Sequence, residues 1–228
     1  MFDSASKGRA GIMLIAGYSG IGKSALVHEV HKPITATRGF FVEGKFDQLQ
    51  RNIPYSAWSQ ALGDLVGYLL GMGEEALSHW RDKLRSALGT NGGILLDLIP
   101  NLETVIGPQP DIVDLVGQEA QNRFDFAFLQ FIHCVADQDN PLVVFLDDLQ
   151  WIDSASLHLL KTVMNDARAS HLLIIGAYRD NEIHQDHPLL DVIDHTDKGP
   201  LAMSKLTLQP LRVKDATQLC LLYTSDAA

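Results

Sequence analysis

Apolar residues follow two patterns along this chain. Short apolar runs recur at residues 12–16, 142–146 and 172–177, the first two bounded by glycine, proline or charge. Runs this short, apolar at consecutive positions, predict strands buried on both faces of a sheet. Residues 39–45, rich in Phe and Val, predict a further strand, and Leu206 and Leu208 a last one. Elsewhere the spacing is three and four. Ala25, Leu26 and Val30 predict a helix over 23–31, closed by Pro33. After Pro54, Trp58, Leu62, Leu65, Val66 and Leu69 form one helical stripe. Ala76, Leu77, Trp80, Leu84 and Leu88 form another, and Phe124, Phe128, Leu129, Ile132 and Val135 a third. Ser154 is expected to cap a helix carrying Leu157, Leu160, Val163 and Met164, and 213–223 to begin a final one. Residues 89–93 and Gly107-Pro108-Gln109-Pro110 read as turns. Strands separated by helices predict an α/β fold. The reading is a parallel five-stranded sheet flanked by helices, with a helical insertion at about 54–137 between the second and third strands.

Composition narrows the class. The chain has 228 residues, 46% hydrophobic and 20% charged, the balance of a soluble globular domain. Its net charge of -10 is local: residues 97–153 hold eleven acids against one base, Arg123. A broad nucleic-acid surface needs clustered Lys and Arg, so no nucleic-acid partner is expected. Arg123 is expected to be an internal counter-ion. Two cysteines, Cys134 and Cys220, cannot build a disulfide framework and read as buried thiols of a reducing compartment. The apolar runs are too short to span a bilayer, and Met1-Phe2-Asp3-Ser4 opens no secretion leader. The expected location is the cytoplasm, away from membranes.

The first apolar run ends in Gly17-Tyr18-Ser19-Gly20-Ile21-Gly22-Lys23-Ser24, which fits G-x-x-x-x-G-K-[ST]. Glycines let successive N–H groups turn inward around an anion, and a helix opening at Lys23 adds its positive end. Lys23 can reach the β and γ phosphates, and the Ser24 hydroxyl can ligate magnesium. A chance match arises in on the order of one chain in a hundred of this length. The position, after a strand and opening a helix, lowers that further. The run at 142–146 ends in Asp147-Asp148. Beside a phosphate loop, the first carboxylate suits magnesium and the second suits orienting or deprotonating water. A regular strand would point the two apart, whereas a chain turning there can present both. A solvated acidic turn is the bland alternative.

Arg179 follows the run at 172–177, and a parallel neighbour would bring it to the same carboxyl edge, where it can sense a γ-phosphate. A salt bridge with Asp180 or Glu182 is the structural alternative. Gln150 and Trp151 can contact the water or pack on the next helix. Lys45 and Asp47 either approach a nucleotide or pair with each other. His184, Asp186 and His187 lack a completing ligand and read as a solvated loop.

Ala16–Ser24, Glu43-Gly44-Lys45-Phe46-Asp47-Gln48, Arg51-Asn52-Ile53-Pro54-Tyr55, Glu119-Ala120-Gln121-Asn122-Arg123-Phe124, Phe145-Leu146-Asp147-Asp148-Leu149-Gln150-Trp151 and Gly176-Ala177-Tyr178-Arg179-Asp180-Asn181-Glu182 occur in that order. Together they resemble the AAA-type, Orc1-like P-loop ATPase module of bacterial multidomain serine/threonine kinases and hybrid histidine kinases. These belong to the signal-transduction ATPases with numerous domains. The resemblance covers nearly the whole chain. It implies a P-loop NTPase fold, Lys23 and Ser24 as the Walker A pair, Asp147 and Asp148 as the Walker B pair, and Arg179 as the first sensor. It also implies ATP and Mg2+ as ligands. Binding and slow hydrolysis would rearrange neighbouring kinase, sensor or repeat domains, with nucleotide-dependent self-association. Family members carry an adenine-side segment upstream of the loop and a C-terminal helical lid. Only Met1 to Gly11 precede the first strand, so adenine recognition is expected to be incomplete. The lid is expected to be absent, 1–222 to form the ATPase core, 223–228 to be a disordered or foreign tail, and the chain to be a fragment. Three other readings are open to the same residues. A nucleotide-binding scaffold differs by the role of Asp148. A small-molecule phosphotransferase needs an acceptor pocket with its own base. A DNA-loading ATPase needs a basic surface.

Overall fold

A computed structural model describes residues 2–36, 39–110, 116–194 and 200–210. The expected helix at 213–223, the tail and Cys220 lie outside these. In chain order the elements are α1 (Phe2–Ala5), β1 (Gly11–Ala16), α2 (Lys23–Ala36), β2 (Phe40–Lys45), α3 (Ser56–Leu70), α4 (Glu74–Leu88), α5 (Leu102–Ile106), α6 (Gln118–Val135), β3 (Leu142–Asp147), α7 (Ser154–Met164), β4 (Leu172–Tyr178), α8 (Leu190–Asp194) and β5 (Ala202–Thr207). The five strands form one parallel sheet in the order β2-β3-β4-β1-β5.

The unbroken apolar runs are explained by burial on both faces. In β3, Leu142, Val144 and Leu146 join the larger core, while Val143 and Phe145 join a second, smaller one. In β4 the same alternation sends Leu172, Ile174 and Tyr178 one way and Leu173, Ile175 and Ala177 the other. Val27 of α2 packs into the smaller core; α3, α4, α5, α6 and α7 supply the larger. The α3 stripe of Trp58, Leu62, Leu65, Val66 and Leu69 is fully buried, as its spacing predicts. All described elements between β2 and β3 are helical. Among the described residues no helix is long and apolar enough to cross a membrane.

Four local expectations need correction. α2 runs through Pro33 to Ala36 instead of ending before it. A proline removes one i→i−4 bond, and the bonds on either side carry the last turn. The cap of α7 is Asp153, whose side chain accepts from Ser156 N–H at 2.8 Å, so Ser154 is the first helical residue. Residues Gly89–Leu95 form a 3-10 segment, not an open turn. Arg123 donates to Asn91 Oδ1 at 3.0 Å, a neutral partner where an acidic one was expected.

Candidate functional site

Strand order builds the site. β4 lies between β1 and β3, so the ends of β1, β4 and β3 meet at one carboxyl edge. In open parallel sheets that edge is where ligands bind. Eight of the site residues expected from sequence meet there. Ser19, Gly20, Gly22, Lys23, Ser24, Asp147, Asp148 and Arg179 line a cleft of about 280 Å³, joined by Ala25 and Lys45.

The loop from Gly17 to Gly22 turns on glycine. Gly20 and Gly22 have φ of +75° and +103°, a region L side chains rarely adopt, although open space surrounds both. The demand there is conformational, not steric. α2 then begins at Lys23, aiming its N-terminal N–H groups back into the loop. The buried Lys23 ammonium donates to Gly17 O at 2.8 Å and Tyr18 O at 2.9 Å. Burial pushes its pKa below the ordinary lysine value, opposed by the nearby carboxylates of Asp147 and Asp148.

Ser24 Oγ donates to Asp147 Oδ2 at 3.1 Å, across 123 residues of sequence. A hydroxyl and a carboxylate oxygen this close offer hard oxygen donors, the chemistry a magnesium ion requires. These two residues could hold it.

Asp148 resolves the problem of two adjacent carboxylates on a strand. It sits in the left-handed region, φ 56° and ψ 44°, which Asp tolerates better than most residues. The kink ends β3 and brings both carboxylates to the same cleft. Asp148 is buried, and three side chains engage it. Gln150 Nε2 donates to Oδ1 at 2.8 Å, Arg179 Nε lies 3.4 Å from Oδ1, and Lys45 Nζ lies 3.3 Å from Oδ2. Arg179 therefore reaches the site, and its Nη1 also makes the ion pair with Glu182, at 2.8 Å, that is the structural alternative to a sensing role. That hydrogen bond, first among several influences, raises the guanidinium pKa further above its already high value.

Sequence reasoning left two residues undecided that the structure brings into the site. Lys45 pairs with Asp148, while Asp47 instead caps Leu49 N–H at 2.7 Å. Gln150 is buried and bridges two residues of the cleft: its Nε2 donates to Asp148, and its Oε1 accepts from Arg179 N–H at 3.1 Å. Its own carbonyl accepts from Arg51 Nη2 at 2.9 Å, with His187 Nε2 at 3.0 Å. His187 Nδ1 accepts from Leu189 N–H at 3.2 Å, so both ring nitrogens are committed to local structure. Trp151 carries the Arg51 guanidinium over its ring at 4.5 Å.

Comparison with known proteins follows the same lines. "Hybrid signal transduction histidine kinase G" of Dictyostelium discoideum is 38% identical over 159 residues, 70% of this chain and 5% of that protein. "Histidine protein kinase 1" of Candida albicans is 23% identical over 247 residues, 96% of this chain and 10% of that protein. The chain thus spans a small part of the curated relatives it matches, and both are eukaryotic. Among solved structures, the Aeropyrum pernix Orc1 protein in complex with DNA covers 95% of this chain and 44% of that one, with TM-score 0.38 and 10% identity. The family described as "AAA ATPase domain" matches residues 1–175, a span that contains the phosphate loop and the acidic strand end. With that match over most of its length, the chain belongs to the AAA ATPase domain family.

Proposed function

We propose that this chain is an ATP-binding, slowly hydrolysing regulatory module of a larger signalling protein. Its nucleotide state would set the arrangement of neighbouring kinase, sensor or repeat domains, with nucleotide-dependent self-association as one form of that switch. The observation that carries the reading is the convergence of Lys23, Ser24, Asp147, Asp148 and Arg179 on one cleft. The histidine-kinase relatives support the signalling setting. Within the family we favour the signal-transduction ATPases with numerous domains; the eukaryotic relatives widen the setting beyond the bacterial one. The buried thiol of Cys134 fits a cytoplasmic location.

The residues divide the chemistry among them. Loop N–H groups and the start of α2 cradle the phosphates, and Lys23 turns from its carbonyl partners to the β and γ oxygens. Ser24 and Asp147 would hold Mg2+, which when bound would offset phosphate charge. Asp148 accepts a proton from water as the water oxygen bonds to the γ-phosphorus. The bond from that phosphorus to its bridging oxygen breaks, leaving ADP and inorganic phosphate. Arg179 senses the γ-phosphate from the end of β4.

A second reading, a nucleotide-binding scaffold with little turnover, draws support from Asp148, whose oxygens are both engaged by neighbours. Single-turnover hydrolysis separates the two. Asp148→Asn should lower the rate by about a hundredfold or more. An unchanged rate removes the general-base role. No turnover in the wild type, even with its neighbouring domains, establishes the scaffold.

A further inference from the structure

Lys45 is a cation that the proposed chemistry has not used. It ends β2, in register with Asp147 of β3, and lines the same cleft as Lys23 and Arg179. Its backbone is fixed. The Lys45 N–H donates to Gln60 Oε1 at 3.0 Å. One residue earlier, a Cβ on Gly44 would fall 1.9 Å from Ala57 O, so only glycine lets α3 seat this closely on β2. The side chain, by contrast, is 62% exposed, and its ammonium lies 3.3 Å from Asp148 Oδ2. That exceeds the usual length of a charge-assisted hydrogen bond, about 2.7–2.9 Å.

Lys23, Lys45 and Arg179 face Asp147 and Asp148, three cations against two carboxylates. Lys23 is held by two loop carbonyls and Arg179 by Glu182. Lys45 is the cation whose departure disturbs least. We propose, resting on the ATP-site reading above, that Lys45 is a γ-phosphate ligand that exchanges Asp148 for the nucleotide when a triphosphate binds. Strand order gives the selectivity. β2 lies on the far side of β3 from β1 and its phosphate loop. On this proposal a diphosphate cradled in the loop stops short of Lys45, and a γ-phosphate reaches past Asp147 to it. The exchange also removes the ammonium from Asp148 Oδ2 only when a γ-phosphate is bound. No covalent bond is made or broken in this step.

Equilibrium titration with ADP and with a non-hydrolysable ATP analogue, both with Mg2+, tests the idea in wild type, Lys45→Met and Lys45→Arg. Lys45→Met should lose about tenfold or more in analogue affinity, the scale of one charged hydrogen bond, and keep its ADP affinity within about twofold. Lys45→Arg should recover most of the loss, because the charge returns. An analogue-to-ADP ratio in Lys45→Met within about twofold of wild type, with both nucleotides still bound, overturns the inference and leaves the ATP-site reading standing. Equal loss for both nucleotides also overturns it, by making Lys45 a general site residue. A wild type that binds neither nucleotide refutes the underlying reading instead.

Discussion

Two regions of this molecule are built on opposite principles. The helical layer between β2 and β3 is apolar and closely packed: Trp58, Leu62, Leu65, Val66 and Leu69 of α3 and Phe128 and Phe131 of α6 are all fully buried. The carboxyl edge gathers five charged side chains around a cleft of about 280 Å³, with a loop and a carboxylate held at positive φ. The first region gains stability from every side chain it buries. The second holds ionised groups and strained backbone that only a ligand makes worthwhile. Stability and function should therefore separate on mutation. They meet at the start of α3, where Gly44 lies against Ala57 and Gln60 holds the backbone of Lys45.

The largest effect expected on the packing side is Trp58→Ala. It empties a fully buried site, removes an edge-to-face contact with Phe128 and leaves Ser156 O without its indole donor. We expect a loss of about 3–5 kcal/mol in denaturant unfolding. Nucleotide affinity measured well below the transition should stay within about twofold of wild type. If affinity falls in step with stability, the two regions are one cooperative unit and the comparison fails.

Gln150→Ala should behave in the opposite way. It removes the group holding both Asp148 and Arg179 N–H. Single-turnover hydrolysis should slow by about tenfold or more, with ATP affinity little changed, since Gln150 is a positioning residue. A loss confined to affinity would contradict that role.

A smaller effect is expected at Asp137. Burial raises its pKa, but hydrogen bonds from Lys83 and Asn140 outweigh that, and the net shift is downward. A depressed carboxylate contributes stability above its unfolded pKa and loses it as pH falls through the folded value. The stability difference between wild type and Asp137→Asn should thus be present at neutral pH and vanish in strong acid, with the site unaffected. A pH-independent difference would assign the effect to packing.

The smallest concerns Cys134, whose thiol is pushed up to about 11 by burial. A raised pKa means the folded state keeps its proton where the unfolded state has lost it. Wild type should lose stability relative to Cys134→Ala as pH climbs from the ordinary thiol value of 9.0 towards 11. A constant difference over that window would show that the thiol ionises freely in the folded protein.

The fold was legible because its signals are local. Buried parallel strands leave unbroken apolar runs, and β3 and β4 show them in six or seven residues. The α3 stripe is periodic, and the phosphate loop is contiguous in sequence. What sequence hid depends on which strands are neighbours. The carboxyl-edge argument that reached Arg179 applies equally to Lys45, but only once β2 is known to pair with β3 in register with Asp147. Gln150 was legible as a neighbour of the acidic pair, whereas its clamp on Arg179 joins residues 29 apart in sequence through one amide. The turn that presents both carboxylates rests on a single left-handed residue, Asp148, and no residue type announces that conformation.

The central claim is that Lys23 and the glycine loop bind nucleotide phosphate. Its most direct test is ATP titration with Mg2+, comparing wild type with Lys23→Ala. The account predicts saturable binding by the wild type and a loss on the order of a hundredfold in the variant, the scale for removing a buried charged partner. Equal affinity in the two proteins would contradict it.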